Sequence, residues 1–146
     1  MKILLATDGS KYSDAAAQKA ATWLHAQDAE AVVLRVVEPL VFSVPPQMAP
    51  GYAPETAARL EERLKDARDG ASRTAELLKK AGFKAGCRIV QSETGTGILE
   101  VAREWQPDVI VLGSHGEKGL KRFLLGSVAE HVARHAQCSV LVVRDA

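Results

Sequence analysis

Three glycines and a serine in the second half of the chain have the types and spacing of an anion-binding site. Gly113 and Gly116 follow an apolar run that ends at Leu112, and Gly126-Ser127 stands after nine further residues. Glycine lets the backbone approach a ligand closely, and the N–H groups at a helix N-terminus attract negative charge. The pattern therefore predicts a phosphate-binding loop. Each part alone also has a plainer interpretation, as turn glycines and as an ordinary helix cap.

The elements that must position this loop alternate between strand and helix. Apolar runs predict short strands, and apolar positions three and four residues apart predict the helices between them. This order predicts a single-domain α/β fold over residues 1–146, with an open five-stranded parallel sheet that helices cover on both faces. The strands are expected at 3–6, 31–37, 84–90, 109–112 and 139–143. The helices are expected from Ser10 or Ser13 to about 26, at 55–81, around 98–102, and after Gly126.

The glycine spacing resembles the nucleotide-binding motif of universal stress proteins of the ATP-binding kind. The likeness extends to Ala6-Thr7-Asp8-Gly9-Ser10 and to residues 139–144, and it covers essentially the whole chain. It implies a Rossmann-like, doubly wound sheet with strand order 3-2-1-4-5, in which strands one and four are neighbours. The two polar loops would then meet where the strand order reverses, which is where such sheets bind ligands.

The same resemblance implies which residues hold the nucleotide. ATP with Mg²⁺ or Mn²⁺ is the expected cofactor, and Asp8 is the expected metal ligand through the bound nucleotide. Ala6, Thr7 and Asp8 would line the base and metal side of the pocket, and Val36 matches a position that packs on adenine. The remaining nucleotide-binding residues would be Leu112, Gly113, His115, Gly116, Gly126, Ser127 and Val128.

Four of these features have a second interpretation from the residues themselves. Asp8 can cap the first helix with Ser10, and Val36 can be a plain core valine. His115 can donate a hydrogen bond to phosphate, although an isolated loop histidine more often faces solvent. The basic residues Lys118, Lys121 and Arg122 either attract phosphate or keep a loop solvated.

Composition favours a soluble, cytoplasmic protein. The formal net charge of +1 gives no strong attraction to nucleic acid or to a membrane surface, and no apolar run has the length of a membrane span. Cys87 and Cys138 are interpreted as small apolar fillers in or beside strands. Trp23 and Leu24 are expected to close the inner face of the first helix.

Other functional sites are disfavoured by their spacing. Gly95-Thr-Gly97 begins a dinucleotide-binding fingerprint, but Glu100 stands where its third glycine belongs, and no P-loop sequence is present. His131 and His135 have metal-ligand spacing without an evident third ligand, so they are interpreted as surface or interface residues. No nucleophile–base pair stands out, and ATP hydrolysis is expected to be slow at most.

Two functions from different classes follow. The favoured one is a nucleotide-dependent stress-response module that binds ATP, and the alternative is a protein-interaction module on the same fold that binds no nucleotide. The apolar last strand, 139–144, predicts an open sheet edge, and the resemblance implies a homodimer through it. Arg144 and Asp145 can instead screen that edge. The downstream protein partner is unknown from the sequence.

Overall fold

The computed structural model describes residues 1–43, 52–116 and 124–144. Its elements follow the expected alternation, with a short hairpin added after the second strand. They are β1 (Lys2–Ala6), α1 (Lys11–Trp23), β2 (Glu30–Val37), β3 (Val41–Ser43), β4 (Tyr52–Pro54), α2 (Ala57–Lys80), β5 (Lys84–Gln91), α3 (Thr94–Trp105), β6 (Val109–Gly113), α4 (Ser127–His135) and β7 (Ser139–Val143).

Five strands form one parallel sheet in the order β5-β2-β1-β6-β7. Without the hairpin strands this is the order 3-2-1-4-5, so the predicted doubly wound α/β fold is confirmed. The order reverses between β1 and β6, where Leu4 is paired with Ile110. The carboxyl ends of these two strands therefore open on the same edge of the sheet.

The middle of the sheet is buried on both faces, which explains the uninterrupted apolar runs. Ile3 and Leu5 of β1 pack in a cluster with α1 and α2, whereas Leu4 and Ala6 pack in a second cluster with α3 and α4. Full burial of each large aliphatic side chain stabilises the fold by about 1.5–3 kcal/mol. This rigid centre fixes the positions at which the two strands end.

Helix α1 ends at Trp23, earlier than expected, and the predicted burial of Trp23 is wrong. The buried stripe of α1 includes Ala16 and Ala20 and continues to Leu24, which packs against the core. Trp23 falls beside that stripe and is 56% exposed. The ammonium group of Lys19 lies 5.4 Å from the centre of its ring.

The connection after β2 is more regular than its prolines suggested. The prolines of residues 38–54 predict no regular pairing in this segment, and that prediction is wrong, because strand β3 pairs antiparallel with β4. Pro54 is tolerated because it ends an edge strand, where a missing N–H costs little. The N–H of Glu55 then donates to the Leu40 carbonyl at 3.0 Å. Residues 44–51, which include Pro45, Pro46 and Pro50, lie outside the described residues.

Two further details of the sequence interpretation change. Helix α3 begins at Thr94, so Gly95 and Gly97 are helical residues and not part of a preceding loop. Cys87 is exposed on the edge strand β5, and so it is no apolar filler. Cys138 does pack partly buried beside α3 and α4, and this burial raises the pKa of its thiol.

Among the described residues, no helix is long and apolar enough to cross a membrane.

The long helix α2 offers a test of the local structure. Its N-cap is Thr56, whose side chain accepts a hydrogen bond from the Arg59 N–H at 3.3 Å. We expect Thr56→Ala to lower the free energy of unfolding by about 1 kcal/mol, because a first-turn donor loses its partner. Urea unfolding followed by circular dichroism measures this. Thr56→Ser keeps the acceptor and should unfold like the wild type; an equal loss in both variants would contradict the capping role.

Candidate functional site

The first wall of the candidate site is the turn between β1 and α1. Asp8 accepts a hydrogen bond from the Ser10 N–H at 2.9 Å, and the Ser10 side chain caps α1 by accepting from the Ser13 N–H. Gly9 has a φ of +79°, and a Cβ on it would lie 2.8 Å from Nη1 of Arg35. The positive φ favours glycine over any other residue, whereas the flexible end of Arg35 could move away from a side chain here. The turn therefore holds the Asp8 carboxylate at the carboxyl end of β1.

The second wall is the loop after β6, which lies against the first. A Cβ on Gly116 would lie 3.1 Å from Oδ2 of Asp8, so the two loops meet at this carboxylate. The two polar loops therefore meet where the strand order reverses, and this confirms the predicted meeting of the loops. Asp8 keeps both interpretations, because its Oδ1 supports the α1 turn while its Oδ2 faces the glycine loop.

Gly113 and Gly126 serve the packing of this loop. A Cβ on Gly113 would lie 2.9 Å from the backbone carbonyl of Tyr12, and one on Gly126 would lie 2.9 Å from the Ser114 carbonyl oxygen. The Gly126 N–H also donates to that Ser114 oxygen at 2.7 Å. The two glycines thus allow the loop to pack closely against α1 at one end and against the start of α4 at the other. Their spacing has a structural cause whether or not a ligand binds.

The start of α4 differs from the expected cap. The N-cap is Gly126, and Ser127 is the first helical residue, so the interpretation of Ser127 as an ordinary N-cap is wrong. No side chain among the described residues caps this helix. Its first-turn N–H groups carry the positive end of the helix dipole. They stand next to the Ser114 carbonyl, at the same edge of the sheet as Asp8.

Helix α3 provides a direct comparison, because carboxylates of the chain stand at its N-terminus. Oε1 of Glu38 accepts from the Thr94 N–H at 2.9 Å and from the Thr94 hydroxyl at 2.7 Å. The Glu93 carboxylate accepts from the Thr96 hydroxyl. Two negative charges therefore lie at the start of the helix that carries Gly95-Thr-Gly97, and they disfavour a further anion there.

An apolar surface adjoins the polar loops. Ala6, Val36, Leu112 and Val128 all belong to the cluster on the α3 and α4 side of the sheet. Val36 is half-buried, and Cγ1 of this residue would lie 3.0 Å from a Cβ on Gly97. The core-valine interpretation therefore fits, and its exposed part still belongs to the same face as the other three side chains.

Thr7 has a structural role in the turn. Its side chain is buried, and its hydroxyl donates to Oγ of Ser13 at 3.0 Å and accepts from the Gly9 N–H at 3.2 Å. Its backbone N–H donates to the Leu34 carbonyl at 2.9 Å. Thr7 thus fixes the course of the backbone just before Asp8.

His115 is not a solvent-facing loop residue. It is half-buried, its Nδ1 lies 2.9 Å from the Ser114 hydroxyl, and its ring packs 5.4 Å from the ring of Tyr12. Its Nε2 is buried and has no hydrogen-bond partner among the described residues. An unsatisfied buried nitrogen costs about 1–3 kcal/mol, so a ligand atom here would stabilise the site.

Some residues lay beyond the sequence argument, and some lie beyond the structure. Sequence spacing gave no signal for Tyr12, whose ring packs against His115 through a tertiary contact, or for Ser114, whose hydroxyl lies beside the ring of the neighbouring His115. Lys118, Lys121 and Arg122 lie outside the described residues. Within the part of the chain that the structure describes, no three metal-ligating side chains cluster together.

Comparison with known proteins identifies the family. The model of the Universal stress protein family matches residues 1–144. The chain belongs to this family. This universal stress protein is 34% identical over 150 residues to universal stress protein YxiE of Bacillus subtilis, with 98% of each chain covered. Universal stress protein UspA from Lactobacillus plantarum has the same fold, with a TM-score of 0.80 at 24% identity, over 99% of this chain and 97% of that one.

A solved structure with a ligand is also similar. It is a universal stress protein in complex with cAMP, 26% identical to this one, with a TM-score of 0.63. The similarity covers 99% of this universal stress protein and 96% of that chain.

The glycines allow packing and ligand contact to be separated. Gly113→Ala should lower the free energy of unfolding by about 1–3 kcal/mol, because its Cβ meets backbone atoms that cannot move away easily. Gly116→Ala should change stability by no more than about 0.5 kcal/mol, since a flexible carboxylate can shift. Urea unfolding of both variants gives the comparison. Equal stability of the two would contradict the packing role of Gly113.

Proposed function

We propose that this universal stress protein binds ATP together with Mg²⁺ and acts as a nucleotide-dependent regulatory module in a stress response. The observation that carries the proposal is the N-terminus of α4, which no described side chain caps and which adjoins the loop of Ser114 and His115. Phosphate supplies the negative charge that such a terminus favours. The proposed phosphate ligands are Gly126, Ser127 and Val128, with Gly113, His115 and Gly116 on the opposite side.

Three features of the site support the nucleotide beyond its phosphates. The orphaned Nε2 of His115 offers a hydrogen bond to a ribose or phosphate oxygen. The apolar face formed by Ala6, Val36 and Leu112 suits an adenine ring. Asp8 and Thr7 stand on the same side, and the Asp8 carboxylate is proposed to hold Mg²⁺ or Mn²⁺ through the bound nucleotide. The bound ion would offset part of the phosphate charge.

The related structure in complex with cAMP supports an adenine nucleotide as the class of ligand. The preference for ATP rests on the length of the polar site, from Asp8 across Gly116 to the start of α4. Efficient hydrolysis needs groups that place a water and stabilise the transferring phosphoryl group. The sequence assigns no residue to either task, so we propose binding with at most slow hydrolysis.

A charge placed at the start of α4 tests the phosphate site. Ser127→Asp should preserve or slightly raise stability, because a carboxylate in the first turn complements the helix dipole. The same carboxylate should weaken ATP binding about tenfold or more, because like charges placed together cost several kcal/mol. Calorimetric titration with ATP and Mg²⁺ and thermal unfolding of the same samples measure the two effects.

Two controls make that result specific. Ser127→Ala removes the hydroxyl without adding charge, and we expect it to bind much more tightly than Ser127→Asp. Gly116→Val fills the space beside Asp8 and should also abolish binding while the fold is retained. Failure of nucleotide-free wild type to bind ATP would reject the proposal and leave a module that acts by docking other proteins.

We also propose a homodimer through β7, the strand at one edge of the sheet. Strand β7 pairs with β6 alone, and its residues Val140, Leu141 and Val142 are half-buried in the single chain. An open apolar edge of this kind favours pairing with a second strand. Arg144 is exposed, and Lys19 donates to its carbonyl at 2.8 Å, so one end of the edge is partly screened. Asp145 lies outside the described residues.

The register of β7 selects a variant that blocks this edge. The Val143 carbonyl accepts from the Ser114 N–H and so faces β6. Successive residues of a parallel strand direct their N–H and C=O groups to opposite sides, so the N–H and C=O of Val140 point away from β6. Val140→Pro removes an outward N–H while leaving the β6 ladder intact, and it should convert a dimer into a monomer. Analytical ultracentrifugation measures the mass. Val140→Ala keeps the N–H and should remain dimeric; an unchanged dimer of Val140→Pro would exclude pairing through this edge.

A further inference from the structure

A groove between α3 and α4 lies away from the proposed nucleotide site. It has a volume of about 500 Å³ and is lined by apolar side chains such as Leu99 and Ala136, with His131 and His135 on its α4 side. Its lining includes no carboxylate, and Mg²⁺ is usually bound in proteins through carboxylates. The positive charge of Arg103 in the lining opposes every cation and does not distinguish one metal from another. Imidazole nitrogen is instead a preferred ligand of Zn²⁺, Cu²⁺ and Ni²⁺.

The spacing of the two histidines suits one shared metal ion. They lie one turn apart on α4, and the centres of their rings are 4.6 Å apart. A metal ion lies about 2.0–2.1 Å from each imidazole nitrogen, so two rings that share it at an angle between square and tetrahedral have centres about 4.5–5.2 Å apart. The observed separation of the ring centres falls within that range.

The hydrogen bonding of His135 also prepares it as a ligand. Its Nδ1 lies 2.9 Å from the His131 carbonyl oxygen, which can only accept, so Nδ1 carries the proton and Nε2 keeps its lone pair. Metal-bound histidines usually donate their second ring N–H to such an oxygen, which fixes the tautomer and the orientation of the ring. The ring of His131 lies close to Gly95 near the start of α3. Its Cδ2 is 2.7 Å from the position that a Cβ on Gly95 would take.

We propose that His131 and His135 form a two-histidine site for a divalent transition metal of the zinc and copper class. Both side chains are exposed, so the ion can reach them. No third metal-ligating group joins them among the described residues, and the remaining coordination positions would open to the groove. The helix dipole favours the ion as well, because His135 lies in the last turn of α4, where positive charge is stabilised.

Calorimetric titration of metal-free, untagged protein with Zn²⁺, without nucleotide, tests the site. We expect one Zn²⁺ per chain, tighter binding of Cu²⁺ in a parallel titration, and no heat from Mg²⁺ at this site. His131→Gln and His135→Gln should each weaken Zn²⁺ binding roughly a hundredfold or more, because the second ligand no longer acts within the same molecule. Glutamine keeps the side chain polar and of similar reach at these exposed positions, and circular dichroism verifies the fold.

Two matched variants identify the ligands. His25→Gln changes an exposed histidine elsewhere, and Cys138→Ser changes the thiol that lines the same groove; both should bind Zn²⁺ like the wild type. Unchanged binding by His131→Gln and His135→Gln would overturn the proposal. Loss of binding in Cys138→Ser or His25→Gln would overturn it too, because the metal would then lie on another set of ligands.

Discussion

The parallel pairing of β1 with β6 determines where every polar group of the candidate site lies. Both strands are buried on two faces, so most of their side chains are committed to packing, and the polar groups that could meet a ligand lie in the loops at their carboxyl ends. The pairing of Leu4 with Ile110 sets these ends at the same height. Asp8 and Gly116 then approach each other as a consequence of the sheet, before any ligand contributes.

The small volume of glycine is the second constraint, and it limits what the site can tolerate. The loop after β6 contacts the backbone of Tyr12 at one end and the Ser114 carbonyl at the start of α4 at the other. Any side chain at Gly113 or Gly126 would push these backbones apart and move the start of α4 away from Asp8. Packing and anion binding thus require the same residue types, which is why spacing alone cannot separate them.

The fold could be predicted from the sequence because its signals are local and mutually consistent. Apolar runs identify the five strands, and periodic apolar positions identify the helices between them, without tertiary information. The apolar runs arise because the middle of the sheet is buried on both faces. The errors lie where tertiary contacts decide. Trp23 is displaced from the core by a stripe of alanines, and Pro54 sits at the permissive end of an edge strand. His115 is half-buried and packs against Tyr12, a residue distant in sequence whose role no pattern indicates.

Within the candidate site, the sequence could locate the loops but not distinguish their functions. Both α3 and α4 begin with glycine next to a hydroxyl residue, and only the structure shows that Glu38 reaches across to close α3. That contact joins residues far apart in the chain, so composition and spacing carry no trace of it. The two helix N-termini therefore differ in the charge beside them, because Glu38, which follows β2, places a carboxylate at the start of α3.

Helix α4 connects both proposed ligands through its dipole. A phosphate at Ser127 would meet the positive end of the helix, and a metal ion at His131 and His135 would lie toward its negative end. Each ligand has the sign that its end of α4 favours, so neither opposes the other. His131 follows Ser127 by four residues, which is about 6 Å along the helix axis at 1.5 Å per residue. This separation is shorter than the Debye length of about 8 Å at physiological salt, so the attraction between a bound phosphate and a bound metal ion would be only partly screened.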